Sequence, residues 1–385
     1  MFEIDDVKGQ TARIKVVGVG GAGGNAINNM IASNLQGVEF IAVNTDTQVL
    51  EASLAPIKVQ IGTSVTRGLG AGSNPQIGKQ SAMEDRTAIA ETLEGADMVF
   101  ITAGMGGGTG TGASPVVASI AKEFGALTVA IVTKPFFYEA KIRALNAEEG
   151  IRELKDCVDT LIVIPNDRIA LVVDKKTPIL KGFSVANDVL RHAVQGISDI
   201  ILKPGLINVD FADVKTIMQN TGKALMGTGV GQGEGGAVEA AKKAISNPLL
   251  EDSSIEGARG ILFNITGGIN LSLSDVQDAA SIIYDSAHEN ATIIIGNVID
   301  SDIDDEVRIT VIATGFEEKK AKVELPQIRK WTPLEESMTL KGSGRVIAKN
   351  LSTGVLLNSA ASDLMPYEDP LDIPTFMRNA PHREM

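Results

Sequence analysis

The sequence predicts an α/β protein: a doubly wound parallel sheet, a long central helix, a second α/β unit and a disordered tail. Between residues 13 and about 175, nearly continuous apolar runs alternate with amphipathic stretches, as in sheets that helices cover on both faces. A long helical run then ends at the stop signal Pro204-Gly205. From about 206 to 316, strands and helices recur with more strand per residue.

Polar or glycine-rich residues follow each strand predicted in the first half. Those strands are IKVVGV, EFIAVN, MVFITAG, LTVAIVT and TLIVIPN, and their ends carry GVGGAGGN, VNTD, GMGGGTGTG, TKPFFYE and PND. Ligands of open parallel sheets bind at the carboxyl ends of the strands. The sequence therefore predicts a binding site at this edge. The strands predicted in the second unit are RGILFNITG, ATIIIGNVI and VRITVIATG.

Composition limits the classes of function. The 385 residues are 44% hydrophobic, enough for two domains with real cores, and carry a net charge of −13. That charge repels nucleic acid and anionic membranes, so we expect neither as a direct partner. No apolar run is long enough to insert into a membrane. One cysteine, Cys157, and three histidines without metal-ligand spacing predict no disulfide and no side-chain metal site, as in a reducing cytoplasm.

The first glycine-rich loop, GVGGAGGN, leaves its ligand open. Gly18, Gly20 and Gly23 match the G-x-G-x-x-G pattern of dinucleotide-binding enzymes. The pattern is weak evidence because GQGEGG, residues 231–236, matches it too and is better interpreted as a turn before a helix. The stretch GSNPQIGKQ, residues 72–80, fails as a Walker loop because its spacing is one residue too long and Gln80 lacks the magnesium-binding hydroxyl.

The second glycine-rich loop, GMGGGTGTG, has a more specific composition. Its glycines allow successive backbone N–H groups to turn inward, and Thr109 and Thr111 add hydroxyl donors. We predict that a helix starts close behind it, with Pro115 in the first turn. Such a nest of donors at a helix N-terminus binds phosphate without a lysine. Two such loops on neighbouring strands fit a nucleoside triphosphate better than a dinucleotide.

Together these motifs resemble a known family. GGGTGTG looks like the nucleotide loop of tubulins, and with GVGGAGGNA it resembles the FtsZ family of bacterial cell-division GTPases. GLINVDFADVK, residues 205–215, matches that family's G-x-x-N-x-D-x-x-D pattern. The resemblance covers roughly residues 12–316 and implies a tubulin-like, Rossmann-type GTPase that binds GTP or GDP with Mg²⁺. The implied parts are an N-terminal extension (1–12), a GTP-binding domain (13–176), a central helix (177–204), a C-terminal domain (205–316), a disordered linker (317–368) and a partner-binding peptide (369–385).

The resemblance also implies the residues of the nucleotide site. The Gly70–Gly72 loop would sense the γ-phosphate, Asn166 and Asn187 would read guanine, and Phe183 would stack on the base, although spacing alone favours core packing for Phe183. The implied nucleotide-binding residues are Gly20, Gly21, Ala22, Gly23, Asn25, Asn44, Gly70, Ala71, Gly72, Gly104, Gly106, Gly107, Gly108, Thr109, Gly110, Thr111, Gly112, Pro135, Glu139, Arg143, Asn166, Phe183 and Asn187.

The implied catalytic residues are Asn208, Asp210 and Asp213. In the family, one subunit of a head-to-tail filament presents this loop to the nucleotide of the next, so that the carboxylates orient the attacking water. Taken alone, Asp210 also fits a helix N-cap, and Asp213 fits a first-turn carboxylate that complements the helix dipole.

The end of the chain carries a last match. DPLDIPTFMRNA, within residues 369–380, resembles the family's C-terminal peptide, which binds membrane tethers and division regulators. Residues alone leave a peptide ligand and a frayed terminus equally open. The resemblance implies a cytoplasmic protein at the mid-cell division site.

Two alternatives to a polymerising GTPase stay open. A Rossmann oxidoreductase needs an acid after the second strand, where Asn44 stands and Asp46 is displaced. A structural relative that does not hydrolyse GTP is disfavoured by the presence of both Asp210 and Asp213. The sequence departs from the family at Ala140, where glycine is common, at DRIALV, and in the glycine-rich GQGEGGAVEAA.

Overall fold

A computed structural model describes residues 12–174, 176–203, 209–249, 255, 257–300 and 303–316, with nothing described for the side chain of Val172. All of these residues belong to one unit, which spans residues 1–320. Several predictions fall outside the described residues. They concern most of the N-terminal extension, Pro204, Gly205, Asn208, the linker at 317–368 and the peptide at 369–385.

The described strands form one sheet in the order β3-β2-β1-β4-β5-β6-β7-β10-β8-β9. Strands β1 to β6 are parallel to their neighbours, which confirms the predicted parallel sheet. β7 is parallel to β6 but antiparallel to β10, so it joins the two halves. The strands are β1 Ile14–Val19, β2 Val38–Asn44, β3 Ile57–Gln60, β4 Met98–Gly104, β5 Leu127–Lys134, β6 Thr160–Pro165, β7 Gly222–Gln232, β8 Gly260–Gly267, β9 Thr292–Ile299 and β10 Glu306–Thr314.

Helices cover both faces of the parallel part. Neighbouring residues such as Phe100 and Ile101 point to opposite faces of β4, and both are fully buried. The α-helices are α1 Gly20–Ala32, α2 Thr47–Glu51, α3 Thr63–Thr66, α4 Pro75–Glu84, α5 Arg86–Leu93, α6 Thr109–Glu123, α7 Lys141–Cys157, α8 Asn166–Val172, α9 Ile179–Leu202, α10 Phe211–Met218, α11 Gly236–Ile245 and α12 Leu273–Ser286, with a 3₁₀ turn at Phe137–Glu139.

Sequence analysis did not predict two of the strands, β3 and β7. β3 is short and half-buried, and β7 is interrupted by glycines, which weaken a strand signal. In β7 the glycines serve packing. A Cβ on Gly229 would lie 1.9 Å from the Ala240 carbonyl oxygen, and one on Gly231 would lie 2.0 Å from that of Gly236. Helix α11 therefore packs directly on the backbone of β7. The turn predicted at GQGEGG is confirmed between β7 and α11.

Both helices that follow the glycine-rich loops begin inside those loops. Helix α1 starts at Gly20 and α6 at Thr109. The prediction that Pro115 lies in the first turn of α6 is therefore wrong, since Pro115 lies in the second turn. The helix starts early because the Gly112 N–H already donates to the Gly108 carbonyl at 3.0 Å.

Helix α9 is the predicted central helix and packs against both halves of the sheet. Ala193 and Ile197 are fully buried. Gly196 meets the side chain of Thr310 on β10, where a Cβ would lie 2.9 Å from the threonine methyl. Among the described residues, no helix is both long enough and apolar enough to traverse a lipid bilayer.

His192 lies within α9 and is held neutral. The guanidinium of Arg191 donates to its Nε2 at 2.8 Å, a bond that needs an unprotonated ring nitrogen. Burial lowers the pKa of His192 to about 4, and the positive charge of Arg191 acts in the same direction. The charged groups Asp188, Arg308 and Glu306 also face it.

We predict that His192 adds acid sensitivity to the fold. Because its folded pKa of about 4 lies below the ordinary 6.5, the unfolded chain takes up this proton first as pH falls. The free energy of unfolding therefore decreases as pH falls from about 6.5 to 4, and His192 contributes about 3 kcal/mol of that decrease. Urea unfolding across this range should show a shallower pH dependence for His192→Gln than for the wild type. Equal slopes would contradict this assignment.

We also predict that Gly112 is required where α4 crosses α6. A Cβ there would lie 1.9 Å from the Pro75 carbonyl oxygen and 2.6 Å from the Lys79 nitrogen, both backbone atoms. Gly112→Ala should lower the free energy of unfolding by about 3 kcal/mol or more. Gly182→Ala is the matched control, since Gly182 also lies in a helix but has open space around its Cβ position. It should change stability by less than about 1 kcal/mol.

Candidate functional site

A cleft of about 360 Å³ opens at the carboxyl edge of the parallel sheet. The ends of β1, β4, β5 and β6 form its floor, and α9 closes one side. The predicted residues that line it are Gly21, Ala22, Asn25, Gly104, Gly107, Gly108, Thr109, Gly110, Pro135, Glu139, Arg143, Asn166, Phe183 and Asn187.

Sequence analysis missed five lining residues: Val19, Met105, Thr133, Ala186 and Leu190. Val19 and Thr133 lie at strand ends. Ala186 and Leu190 follow Phe183 by three and seven residues, so they share its helix face. Helical spacing could have identified these two, whereas an apolar Met105 inside a glycine loop gives no signal.

The two glycine-rich loops meet at Gly20 and Gly110. Gly20 has φ +72°, and a Cβ on it would lie 2.8 Å from the Gly110 nitrogen. Gly21 and Gly107 have open space around their Cβ positions instead. Gly20 thus brings the loops together, while Gly21 and Gly107 leave the cleft unobstructed.

Nine predicted residues do not line the cleft. A Cβ on Gly23 would lie 2.3 Å from the Thr102 carbonyl oxygen of β4, so Gly23 serves helix packing. The Gly106 N–H donates to Thr111 Oγ1 at 2.8 Å, which secures the loop. The predicted residues outside the cleft lining are Gly20, Gly23, Asn44, Gly70, Ala71, Gly72, Gly106, Thr111 and Gly112.

Asn44 shapes the turn after β2. Its Oδ1 accepts from the N–H groups of Thr45 at 2.9 Å and Asp46 at 3.3 Å. Thr45 Oγ1 lies 2.6 Å from Thr109 Oγ1 at the start of α6. The carboxylate of Asp46 accepts from Gln48 and Val49 and caps α2. The Asp46 carboxylate therefore caps α2 and is not in the role of a ribose-binding acid.

An ion pair lines one wall of the cleft. Arg143 Nη1 donates to Glu139 Oε2 at 2.7 Å, and Glu139 Oε1 accepts from the Phe136 N–H at 2.9 Å. Arg143 is the one basic side chain among the described residues that line the cleft. Attraction of an anion must therefore rest largely on backbone N–H groups and on the N-termini of α1 and α6. Ala140, the residue after Glu139, has φ +80°, a strained value that explains why glycine suits this position.

Aromatic and amide groups line another part of the cleft. Phe183 is 40% exposed and meets the Phe136 ring edge-on at 5.4 Å. Asn166 is only 5% exposed, yet its Oδ1 has no hydrogen-bond partner among the described residues. Tyr138 is about half exposed and stacks on Phe136 at 5.0 Å, and partial desolvation, with the nearby carboxylates of Glu139 and Asp167, raises the pKa of its hydroxyl. A buried amide oxygen and an exposed ring in the lining of one cleft suit a flat heterocycle with hydrogen-bond donors on its edge.

Asp210 and Asp213 lie at the start of α10 and do not line this cleft. Asp210 stands at the N-cap position of α10 without a side-chain capping bond, and Asp213 is exposed in the first turn. The far end of α10 contacts the amino edge of the sheet, where the hydroxyl of Thr160 at the start of β6 donates to the Met218 carbonyl. The cleft lies at the carboxyl edge, so the fold does not bring these carboxylates and the cleft together within one chain.

Comparison with known proteins matches both halves of the chain. The model of the tubulin/FtsZ family GTPase domain matches residues 13–174, and that of the FtsZ family C-terminal domain matches residues 222–317. The structure of an FtsZ dimer from M. jannaschii is 45% identical, with a TM-score of 0.77 over 80% of this chain and 89% of that one. A mutant of the same FtsZ gives 45% identity and a TM-score of 0.76 over 80% and 92%.

A more distant likeness supports the fold alone. CetZ2 from Haloferax volcanii, described as a GTPγS-bound protofilament, is 20% identical, with a TM-score of 0.69 over 80% of this chain and 94% of that one. The tubulin-like α/β fold expected from the sequence is thus confirmed, and the oxidoreductase alternative is set aside. With matching models in both halves and close likeness to an FtsZ, the chain belongs to the tubulin/FtsZ family of GTPases.

Proposed function

We propose that this GTPase assembles head to tail into filaments of a cell-division ring and hydrolyses GTP where two subunits meet. One observation carries the proposal: Asp210 and Asp213 do not line the cleft at the carboxyl edge of the sheet, and the helix that carries them, α10, contacts the amino edge. Stacking one subunit on the next would bring the carboxylates of one to the cleft of the other. The M. jannaschii FtsZ described as a dimer supports self-association.

Backbone groups would hold the phosphates. Gly21, Gly107 and Gly108 line the cleft beside the N-termini of α1 and α6, where unpaired N–H groups and the helix dipoles favour anions. Mg²⁺ would accompany the nucleotide. The lining carboxylate, Glu139, is already bonded to Arg143, so phosphate oxygens and water would hold the ion.

Guanine would lie between Phe183 and the two amides, Asn166 and Asn187. The exposed ring offers a stacking face, and the unpartnered Oδ1 of Asn166 offers an acceptor to the donors on the edge of guanine. Adenine presents a different edge pattern, so it would leave this buried acceptor poorly satisfied.

Hydrolysis would depend on positioning rather than on a covalent step. Asp210 and Asp213 would orient the attacking water toward the γ-phosphate. We propose the same function for Asn208, which lies outside the described residues. Carboxylates near a triphosphate repel it. If they belong to another subunit, this repulsion arises only on assembly, when the favourable energy of the subunit contact offsets it. The presence of both carboxylates favours this role over that of a relative that does not hydrolyse GTP.

The remaining assignments follow from the family resemblance. We propose a GTP-binding domain at 13–176, a central helix at 177–204, a C-terminal domain at 205–316 and a linker at 317–368. Residues 369–380 would bind membrane tethers and division regulators at the cytoplasmic mid-cell site.

Asp210→Ala should separate binding from turnover. We predict unchanged GTP affinity, because this carboxylate does not line the cleft of its own chain, and a loss of GTPase activity of about a hundredfold or more. Phosphate release and equilibrium GTP binding should be measured on the same preparations. Asp278→Ala, which removes an exposed carboxylate from α12, is the matched control and should behave as the wild type. Normal turnover by Asp210→Ala would rule out the shared site.

Mixing two inactive variants should restore activity. Gly107→Asp places a negative charge in open space facing the cleft and should abolish nucleotide binding without disturbing the fold. The Asp210→Ala subunit retains an intact cleft, and the Gly107→Asp subunit retains Asp210. A mixed filament therefore contains a complete site wherever Asp210 of a Gly107→Asp subunit meets the cleft of an Asp210→Ala subunit. No recovery in a mixture that still co-assembles would contradict hydrolysis between subunits.

Asn166→Leu tests base recognition. Leucine has a similar volume to asparagine but lacks the buried acceptor, so GTP affinity should fall about tenfold. The affinities for GTP and ITP should then approach the affinity for ATP. Competition binding with GTP, ITP and ATP measures this selectivity. Undiminished preference for GTP would show that another group reads the base.

A further inference from the structure

Three buried threonines connect three loops behind the cleft. Thr45 follows β2, Thr66 ends α3 and Thr109 begins α6, and their exposed fractions are 0%, 8% and 9%. Thr45 Oγ1 lies 2.6 Å from Thr109 Oγ1. Thr66 Oγ1 donates to the Gly62 carbonyl at 2.9 Å and lies 3.3 Å from the Thr45 carbonyl oxygen.

The direction of the hydrogen bond between Thr45 and Thr109 follows from burial. Each hydroxyl carries one proton, and a single bond uses only one of the two. If Thr109 were the donor, the proton of Thr45 would remain buried with no acceptor among the described residues, at a cost in free energy. If Thr45 is the donor, the remaining proton belongs to Thr109, which lines the cleft. Thr45 is therefore the donor.

We propose that Thr45 is a positioning residue that directs the hydroxyl proton of Thr109 into the cleft, toward a phosphate oxygen of the nucleotide. The inference rests on the proposed nucleotide site and deepens it. With its lone pair engaged by Thr45, Thr109 is prepared to donate before any ligand arrives. A charge-assisted hydrogen bond to phosphate is then formed without reorientation of the hydroxyl.

The backbone of Thr45 is itself held in place. Its N–H donates to Asn44 Oδ1 at 2.9 Å, and Asn44 is 5% exposed. Its carbonyl oxygen lies within reach of the Thr66 hydroxyl. Asn44 does not line the cleft, so this support of Thr45 gives it a role in the site that needs no contact with the ligand.

Replacing Thr45 by valine and by serine tests the proposal in the full-length chain. Valine has nearly the same shape but no hydroxyl, and serine keeps the hydroxyl. We expect Thr45→Val to weaken GDP binding about tenfold while leaving guanosine binding unchanged, because only GDP carries phosphate. Thr45→Ser should restore GDP affinity. Isothermal titration with both ligands measures these affinities.

Thr102→Val is the matched control. Thr102 is fully buried on β4 near the same edge, and its Oγ1 has no hydrogen-bond partner among the described residues, so its loss should leave GDP affinity unchanged. Equal GDP affinity in Thr45→Val and Thr102→Val would overturn the proposal. So would equal losses for GDP and guanosine, or a failure of serine to restore binding. A wild-type chain that bound GDP no more tightly than guanosine would instead refute the proposed phosphate site itself.

Discussion

The close approach of two backbones, at Gly20 and Gly110, is the constraint on which the rest of the site depends. A side chain on Gly20 would meet the Gly110 nitrogen at 2.8 Å, so any larger residue would push apart the first turns of α1 and α6. Their nearness aims two helix N-termini at one cleft that contains little positive charge from side chains. An acidic protein can thereby hold a polyanion, because the attracting groups belong to the backbone.

A second layer of polar contacts supports these turns from behind. Asn44, Thr45 and Thr111 bond to the loops rather than face the cleft with free groups. Such buried and mutually bonded groups lose little freedom when a ligand binds. Among the residues resembling nucleotide contacts, some face the cleft, and others, such as Asn44 and Thr111, hold neighbouring loop residues in position.

The sheet also sets the polarity of the molecule. Parallel strands collect their carboxyl ends at one edge, where the cleft lies, and the end of α10 contacts the opposite edge at Thr160. Helix α9 runs between the two regions and is buried against both halves. A subunit with unlike ends suits head-to-tail association, in which each contact joins one kind of end to the other.

The sequence by itself determined the parallel sheet, the central helix, the two glycine-rich loops and the family, because apolar periodicity and glycine spacing are local signals. It did not reveal β7, whose glycines weaken the strand pattern and are required only by α11, nor the position of Pro115 within α6. Tertiary structure alone decided which glycines face the cleft, such as Gly21 and Gly107, and which permit close packing, such as Gly23 and Gly112. The physical reason is that the absence of a side chain can leave space either for a ligand or for another backbone. The sequence does not distinguish these two roles, because they depend on which residues folding brings close to the glycine.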